Sequence, residues 1–95
     1  MARGSVNKGS RSPVQFTATL SSGSWSTDEY TVSNAAIYSA TCPVIFDIDD
    51  GATTAQVEAF ADALISGESQ SLGSIVLKAH GGTPAIDLPI KVMVL

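Results

Sequence analysis

In the C-terminal stretch of the chain, every second residue from 86 to 94 is a branched aliphatic residue. Because successive side chains of a β-strand point to opposite faces, a period of two predicts a strand with one face buried in a core. Such a face has to be covered by a second layer of secondary structure, which constrains the chain to a layered β fold. The apolar positions are Ile86, Leu88, Ile90, Val92 and Val94.

Four other segments have strand character. Residues 14–20 alternate in the same way, residues 28–33 do so more weakly, and residues 44–48 form a clear strand before an Asp-Asp-Gly sequence. Residues 72–80 are also predicted to be a strand. The Gly-Gly-Thr-Pro sequence at 81–84 then predicts a hairpin turn into the last strand.

One helix is predicted between these strands. Thr53 followed by Gln56 fits a capping box at its start, and Gly67 is a suitable residue just beyond its end. Apolar residues between them recur at helical spacing and predict a single buried stripe. The stripe consists of Val57, Phe60, Ala61, Leu64 and Ile65.

Together these patterns predict one domain over residues 13–95, mostly β in the α+β class. It is expected to be a small antiparallel β-sandwich of five to six strands with one inserted amphipathic helix. Pro89 has no N–H for a ladder, so the last strand is expected at a sheet edge, or with Pro89 facing outward at a bulge. An apolar edge invites partners. We therefore predict an oligomer edge at Val92, Met93, Val94 and Leu95.

Composition excludes several classes of protein. With 95 residues, of which 44% are hydrophobic and 15% are charged, the chain is too apolar for a disordered acidic tail. A single Cys cannot form an intramolecular disulfide or a zinc site with two thiolates. No apolar run approaches the ~20 residues that span a bilayer, and no signal-peptide core is recognisable. The sequence therefore predicts no membrane partner.

The charged residues divide into two populations. Arg3, Lys8 and Arg11 give residues 1–12 a formal charge of +3, whereas two lysines and nine acids give residues 13–95 a charge of −7. Residues 1–12 are rich in Gly, Ser and Asn, which predicts a flexible basic arm. Three hypotheses explain the arm: docking on an acidic neighbouring subunit, an idle or tag-derived tail, and nucleic-acid binding. The acidic body repels phosphate, so no nucleic-acid partner is predicted.

The chain offers few groups for catalysis or metal binding. Asp47, Asp49 and Asp50 match part of a calcium loop, but the residues that follow do not fit the positions that shape the loop. His80 has no recognisable nucleophile or orienting partner in the sequence. Cys42 precedes a strand and is interpreted as a small buried hydrophobe. We therefore predict no enzymatic activity, no metal site and no cofactor.

Three aromatic residues are candidates for a binding or packing role. Trp25, Tyr30 and Tyr38 could form a platform for sugar rings, or they could cover the core or an interface. For Trp25 the second interpretation is favoured, because Trp contributes much of the buried surface in small domains. For the tyrosines both interpretations stay open.

The layout from Phe16 to Leu95 combines a Trp-containing turn with a distinctive closing segment. A first strand, Phe16–Leu20, is followed by Gly-Ser-Trp-Ser at 23–26 and a second strand with Tyr-Thr-Val at 30–32. A strand and a helix come next, and the chain closes with Pro-Ala-Ile-Asp-Leu-Pro-Ile-Lys-Val at 84–92. This layout resembles a small domain of tailed-bacteriophage and prophage virion proteins, which often ends tail-fibre or head-fibre chains.

The resemblance implies a structural role on the virion, after assembly in the host cytoplasm, and no catalytic residues. It also implies a homo-oligomer, with a trimer favoured, and contacts with other capsid or tail proteins. The family domain usually follows a longer shaft, whereas here only the arm precedes it, which favours a compact decoration, cap or plug. The alternative hypothesis is a glycan-binding adhesion module that recognises the host surface.

Overall fold

The computed structural model describes residues 12–95, so Arg3, Lys8 and Arg11 of the predicted arm lie outside the described part of the chain. The described residues form six strands and one helix, which confirms the predicted mostly β fold with one inserted helix. The elements are β1 (Val14–Leu20), β2 (Glu29–Ser33), β3 (Val44–Ile48), α1 (Thr54–Ala63), β4 (Ile65–Ser71), β5 (Ser74–Ala79) and β6 (Leu88–Val94).

The strands form two three-stranded antiparallel sheets that share one core. The first sheet has the order β1-β6-β3 and the second has the order β2-β5-β4. Ile37, in the connection between β2 and β3, is fully buried between residues of both sheets. The apolar inner faces therefore cover each other, as in a β-sandwich. The buried core residues from the strands are Leu20, Val32, Ile75, Leu77, Leu88, Ile90, Val92 and Val94.

The last strand lies in the centre of its sheet, so the prediction of an edge strand is wrong. The N–H of Asp49 donates to the carbonyl of Pro89 at 2.9 Å, on the side of β3. The N–H and C=O of one strand residue point to the same side, so the N–H that Pro89 lacks would also face β3. At that level β3 has already ended at Ile48. Pro89 therefore fits a central strand without costing a bond to β1.

The predicted oligomer edge is wrong for the same reason. β6 is paired on both sides, so its backbone offers no free edge among the described residues. Val92 and Val94 are each 2% exposed and point into the core. Met93 is half-buried on the outer face of the sheet, and Leu95 is exposed beyond the end of the strand. Unpaired edges belong to the outer strands of the two sheets instead.

Helix α1 begins as predicted and ends earlier. The Thr53 hydroxyl accepts from Gln56 N–H at 3.2 Å, and the Gln56 side-chain oxygen accepts from Thr53 N–H at 2.8 Å, which confirms the capping box. The helix ends at Ala63 because Leu64 adopts a left-handed conformation, with φ of 51°. Ile65 then starts β4. Residues predicted to extend the helix therefore form a strand.

Only part of the predicted apolar stripe faces the core. Phe60 is half-buried and packs edge-on against Phe46, with ring centroids 6.5 Å apart. Val57 and Leu64 are 44% and 63% exposed. Gly67, predicted to follow the helix, lies within β4 at a register shift. The helix therefore packs on the body through Ala59, Phe60 and its buried last residue, Ala63.

The predicted hairpin between β5 and β6 is also wrong. These strands lie in different sheets, and residues 80–87 cross from one sheet to the other. Gly81 N–H donates to the Ala63 carbonyl at 2.8 Å, so the Gly-Gly sequence packs on the end of α1. The hairpin joins β4 to β5 instead, through a turn in which Gly73 has φ of 85°.

The turn that precedes β2 carries backbone strain. Thr27 and Asp28 have φ of 50° and 63°, and Ser26 and Glu29 exchange backbone hydrogen bonds at 2.9 Å. Two successive left-handed residues make this a type I′ turn, which favours Asn at its first central position. A β-branched residue is unfavourable there.

Replacing the first central residue of this turn is expected to stabilise the protein. Thr27→Asn should raise the free energy of unfolding by about 1 kcal/mol, because Asn adopts the left-handed conformation at lower cost. Urea denaturation measures the change. Thr31→Asn, within the extended strand β2, is the control and should give no gain. An equal effect of the two substitutions would contradict the turn assignment.

Candidate interaction surface

The hydrogen bonds of β6 show in which direction each of its backbone groups points. Leu95 N–H donates to the Pro43 carbonyl at 3.0 Å, on the side of β3. The Pro89 carbonyl, which accepts from Asp49 N–H, faces the same side. Backbone groups alternate between the two sides along a strand. The odd-numbered residues of β6 therefore bond toward β3 and its even-numbered residues toward β1.

The alternating direction of the backbone groups leaves part of β1 without backbone partners among the described residues. The even-numbered residues of β1 lie opposite the even-numbered residues of β6, so the backbone groups of Gln15, Thr17 and Thr19 point outward. The Tyr30 hydroxyl donates to the Thr19 carbonyl at 3.1 Å and accepts from Ser21 N–H at 3.1 Å. Tyr30 thus covers one end of the edge. Gln15 and Thr17, both exposed, keep unpaired N–H and C=O groups.

The other three edge strands carry acidic residues, and β1 does not. Glu29 lies in β2, Asp47 in β3 and Glu68 in β4, where the register shift also interrupts the edge. Charges and bulges on an edge strand discourage pairing with another chain. No charged residue occurs in residues 12–27. Among the described strands, β1 is therefore the edge that is best suited to pairing.

The outer face of the first sheet carries a shallow groove beside this edge. Its lining combines the side chains of Gln15, Met93 and Ile45, which form one row across the sheet, with those of Asp47 and Lys91 in the next row. Ile45 is 56% exposed although it is a large apolar residue. An exposed apolar strip of this kind is suited to contact with another protein surface.

Lys91 is the basic residue at the centre of this face. Its Nζ donates to the Asp50 carboxylate at 2.8 Å. This hydrogen bond and the charge of Asp50 raise the pKa of Lys91 above its ordinary value, and Asp47 and Asp49 add smaller contributions. Three carboxylates around one ammonium group leave this part of the surface acidic.

The aromatic candidates are divided between packing and polar contacts. Trp25 packs against the core and meets Tyr30 edge-on, with ring centroids 5.3 Å apart. The indole Nε1 of Trp25 is buried and has no hydrogen-bond partner in the described structure. The Tyr38 hydroxyl donates to the Leu95 carbonyl at 2.7 Å. These residues hold the β1–β2 connection and the chain end, and they do not form one continuous platform.

His80 has one side-chain partner that its sequence context did not indicate. Its Nε2 lies 2.8 Å from the Ser66 hydroxyl, and both residues are exposed. Within the described residues, no carboxylate is hydrogen-bonded to the other ring nitrogen. An imidazole without an orienting group lacks one element of a catalytic triad.

Cys42 is buried and hydrogen-bonded. Burial acts to raise the pKa of its thiol, but hydrogen bonds with Ser39, with the Tyr38 backbone and with its own backbone together lower the pKa. The Gln70 amide group donates to the carbonyls of Ser39 and Cys42 at 2.9 and 2.8 Å. Gln70 thus ties β4 to the connection that leads into β3.

Two features of the structure were not predicted from the sequence. Gln70 is one of many polar residues in the chain. Nothing in its local context indicates that its side chain bonds to the backbone of another segment and is not simply exposed to solvent. The unpaired edge of β1 was missed because strand order is not encoded locally. The uncharged stretch over residues 12–27 was the available signal for it.

Comparisons with known proteins do not assign the chain to a family. No family model, no curated protein and no solved structure matches it. The helix found in residues 12–95 is too short to cross a membrane. No group of three or more His, Cys, Asp or Glu side chains within this part of the chain is arranged to hold a metal ion.

Proposed function

We propose that the protein is a non-enzymatic structural subunit of a bacteriophage virion, of the capsid-decoration, head-fibre or tail-fibre type. It associates with copies of itself and docks on the particle through residues 1–12. The observation that carries the proposal is the charge division between this segment, at +3, and the folded body, at −7. The resemblance of the Trp turn and the closing segment to virion domains indicates the kind of particle.

The structure supports this proposal by placing the negative charge where a neighbour can reach it. None of the charged side chains in the described residues is buried. Asp47, Asp49 and Asp50 gather around Lys91 on the outer face of the first sheet. A basic segment of an adjacent subunit would find carboxylates on this body, and such an attraction weakens as salt screens it.

The test is incorporation of the protein into virions. We expect the protein in purified particles of the phage or prophage that encodes it. A variant with Arg3→Gln, Lys8→Gln and Arg11→Gln is compared with the natural protein once circular dichroism has shown that the two fold alike. Its copy number per particle is expected to fall about tenfold or more, because the variant segment has no charge to attract an acidic neighbour.

The matched control retains the charge. Arg3→Lys with Arg11→Lys should incorporate like the natural protein, since the charge pattern of the segment is unchanged. Quantitative mass spectrometry of purified particles measures all three proteins. Absence of the natural protein from particles would overturn the virion role. Normal incorporation of the glutamine variant would overturn docking through residues 1–12.

A further inference from the structure

We propose that β1 pairs with β1 of a second copy of the chain, antiparallel about a two-fold axis. In this register Gln15 of one copy lies opposite Thr17 of the other. The inference rests on the self-association in the proposed function and is independent of a location on a virion. It identifies which surface associates and with what symmetry.

The unpaired backbone groups of β1 are complementary to themselves. In an antiparallel ladder, two directly opposite residues at a hydrogen-bonded position each donate an N–H to the other's C=O. With Gln15 opposite Thr17 of the second copy, every unpaired N–H at these positions meets an unpaired C=O. The two-fold axis repeats the same exchange on its other side. One register therefore satisfies the groups that the described structure leaves unpaired at Gln15 and Thr17.

The next position along this register explains two further features of the edge. Pro13 of one copy would face Thr19 of the other. Pro13 has no N–H to donate, but the Thr19 carbonyl already accepts from the Tyr30 hydroxyl at 3.1 Å. The Thr19 carbonyl therefore keeps a donor, although Pro13 supplies none. A shift that sets Gln15 opposite Gln15 would place Pro13 opposite Thr17, whose carbonyl has no other donor among the described residues.

The side chains and charges also suit a second copy. Phe16, which is half-buried at the margin of the core, would meet its own symmetry mate at the close, non-hydrogen-bonded position on the axis. Residues 12–27 carry no charge, so two copies of this edge approach without facing like charges. Pairing β1 with β2, β3 or β4 of another copy would bring an acidic residue to the new ladder. The occupant that the edge fits best is therefore β1 itself.

The first test is the mass of the protein in solution, measured by light scattering over a range of concentrations. The natural chain should reach twice its monomer mass of 9.8 kDa, or an even multiple. Thr17→Pro should halve that mass, because it removes an N–H that faces the second copy and none that faces β6. Thr31→Pro is the matched control: it lies at the free edge of β2 and should leave the mass unchanged. A natural chain that stays monomeric, or a trimer that Thr17→Pro does not alter, would overturn the proposal.

The second test fixes the register and does not depend on the folding of a proline variant. Hydrogen-bonded antiparallel partners have Cα atoms about 5.5 Å apart, within the range that a disulfide spans. In a Cys42→Ala background, Gln15→Cys with Thr17→Cys should form a covalent dimer under mild oxidation, and reductant should reverse it. Gln15→Cys alone should not, since the two copies of position 15 are offset along the strands. Failure of the double variant to cross-link, or equal cross-linking by the single one, would overturn the register.

Discussion

Gly81→Ala is expected to destabilise the protein by about 3 kcal/mol, which is a large fraction of the free energy of unfolding of a chain of this size. A Cβ at this position would overlap the carbonyl oxygen of Asp62 and lie 3.2 Å from the carbonyl carbon of Ala63. Both atoms belong to the backbone at the end of α1, so no side chain can rotate away. The Gly81 N–H bond to the Ala63 carbonyl would have to lengthen.

Two other glycines provide controls for this prediction. Gly23→Ala places a Cβ in open space and should change stability by less than about 0.5 kcal/mol. Gly82→Ala also has open space, but its φ of 104° strains any L side chain and should cost about 1 kcal/mol. Thermal denaturation should show a melting temperature lowered by about 12–24 °C for Gly81→Ala. Equal stability of the Gly81 and Gly23 variants would contradict the packing of residues 80–87 on the helix.

Gln70→Glu is expected to cost about 2–4 kcal/mol at neutral pH. The Gln70 amide group donates to the carbonyls of Ser39 and Cys42. A carboxylate in its place would direct a negative oxygen at two acceptors, and both carbonyls would lose a donor. Because the site is partly buried, water can replace these bonds only in part.

The pH dependence of this variant separates charge from lost hydrogen bonds. The fold would favour the protonated form of the new carboxyl, which raises its folded pKa above the ordinary value of about 4.3. The penalty should therefore be full above the folded pKa and shrink as the pH falls toward the unfolded value. Gln56→Glu is the matched control: it keeps the acceptor for Thr53 N–H and loses one exposed bond to the Asp87 carbonyl. Urea denaturation at pH 7 measures the free energy of unfolding of both variants. Similar decreases would contradict the conclusion that Gln70 ties β4 to the connection leading into β3.

The period-two segments and the capping box were predictable because each depends on residues close together in the chain. Alternation at 14–20 and at 88–94 follows from which side of a strand faces apolar neighbours. Ile86, also predicted on the buried face, precedes β6 and is 39% exposed. Thr53 and Gln56 satisfy each other within one helical turn. The apolar stripe of the helix was predicted less well, because it assumed that the helix continues through Leu64. The left-handed conformation at Leu64 ends it there.

The candidate site was less predictable than the fold. Trp25, Tyr30 and Tyr38 were identified as aromatic candidates, but the bonds that occupy the two tyrosine hydroxyls come from residues that are distant in sequence. The pairing of Ser66 with His80 likewise joins β4 to the connection that follows β5. The prediction of an edge at residues 92–95 was wrong. The sequence pattern correctly indicated a strand there, but it did not indicate where that strand lies in the sheet. Only the pairing with β1 and β3 reveals that β6 is central.

The sequence by itself determined a mostly β body with one capped helix, and a basic segment attached to an acidic chain. These properties follow from local periodicity and from charge, which require no knowledge of distant neighbours. The tertiary structure alone decided that β6 lies between β1 and β3, and that residues 80–87 cross between the sheets. The reason is physical: a strand pattern specifies which face is buried, whereas the hydrogen bonds at a strand's edges are set by whichever strand packs beside it. The unpaired edge of β1 belongs to this second kind of information.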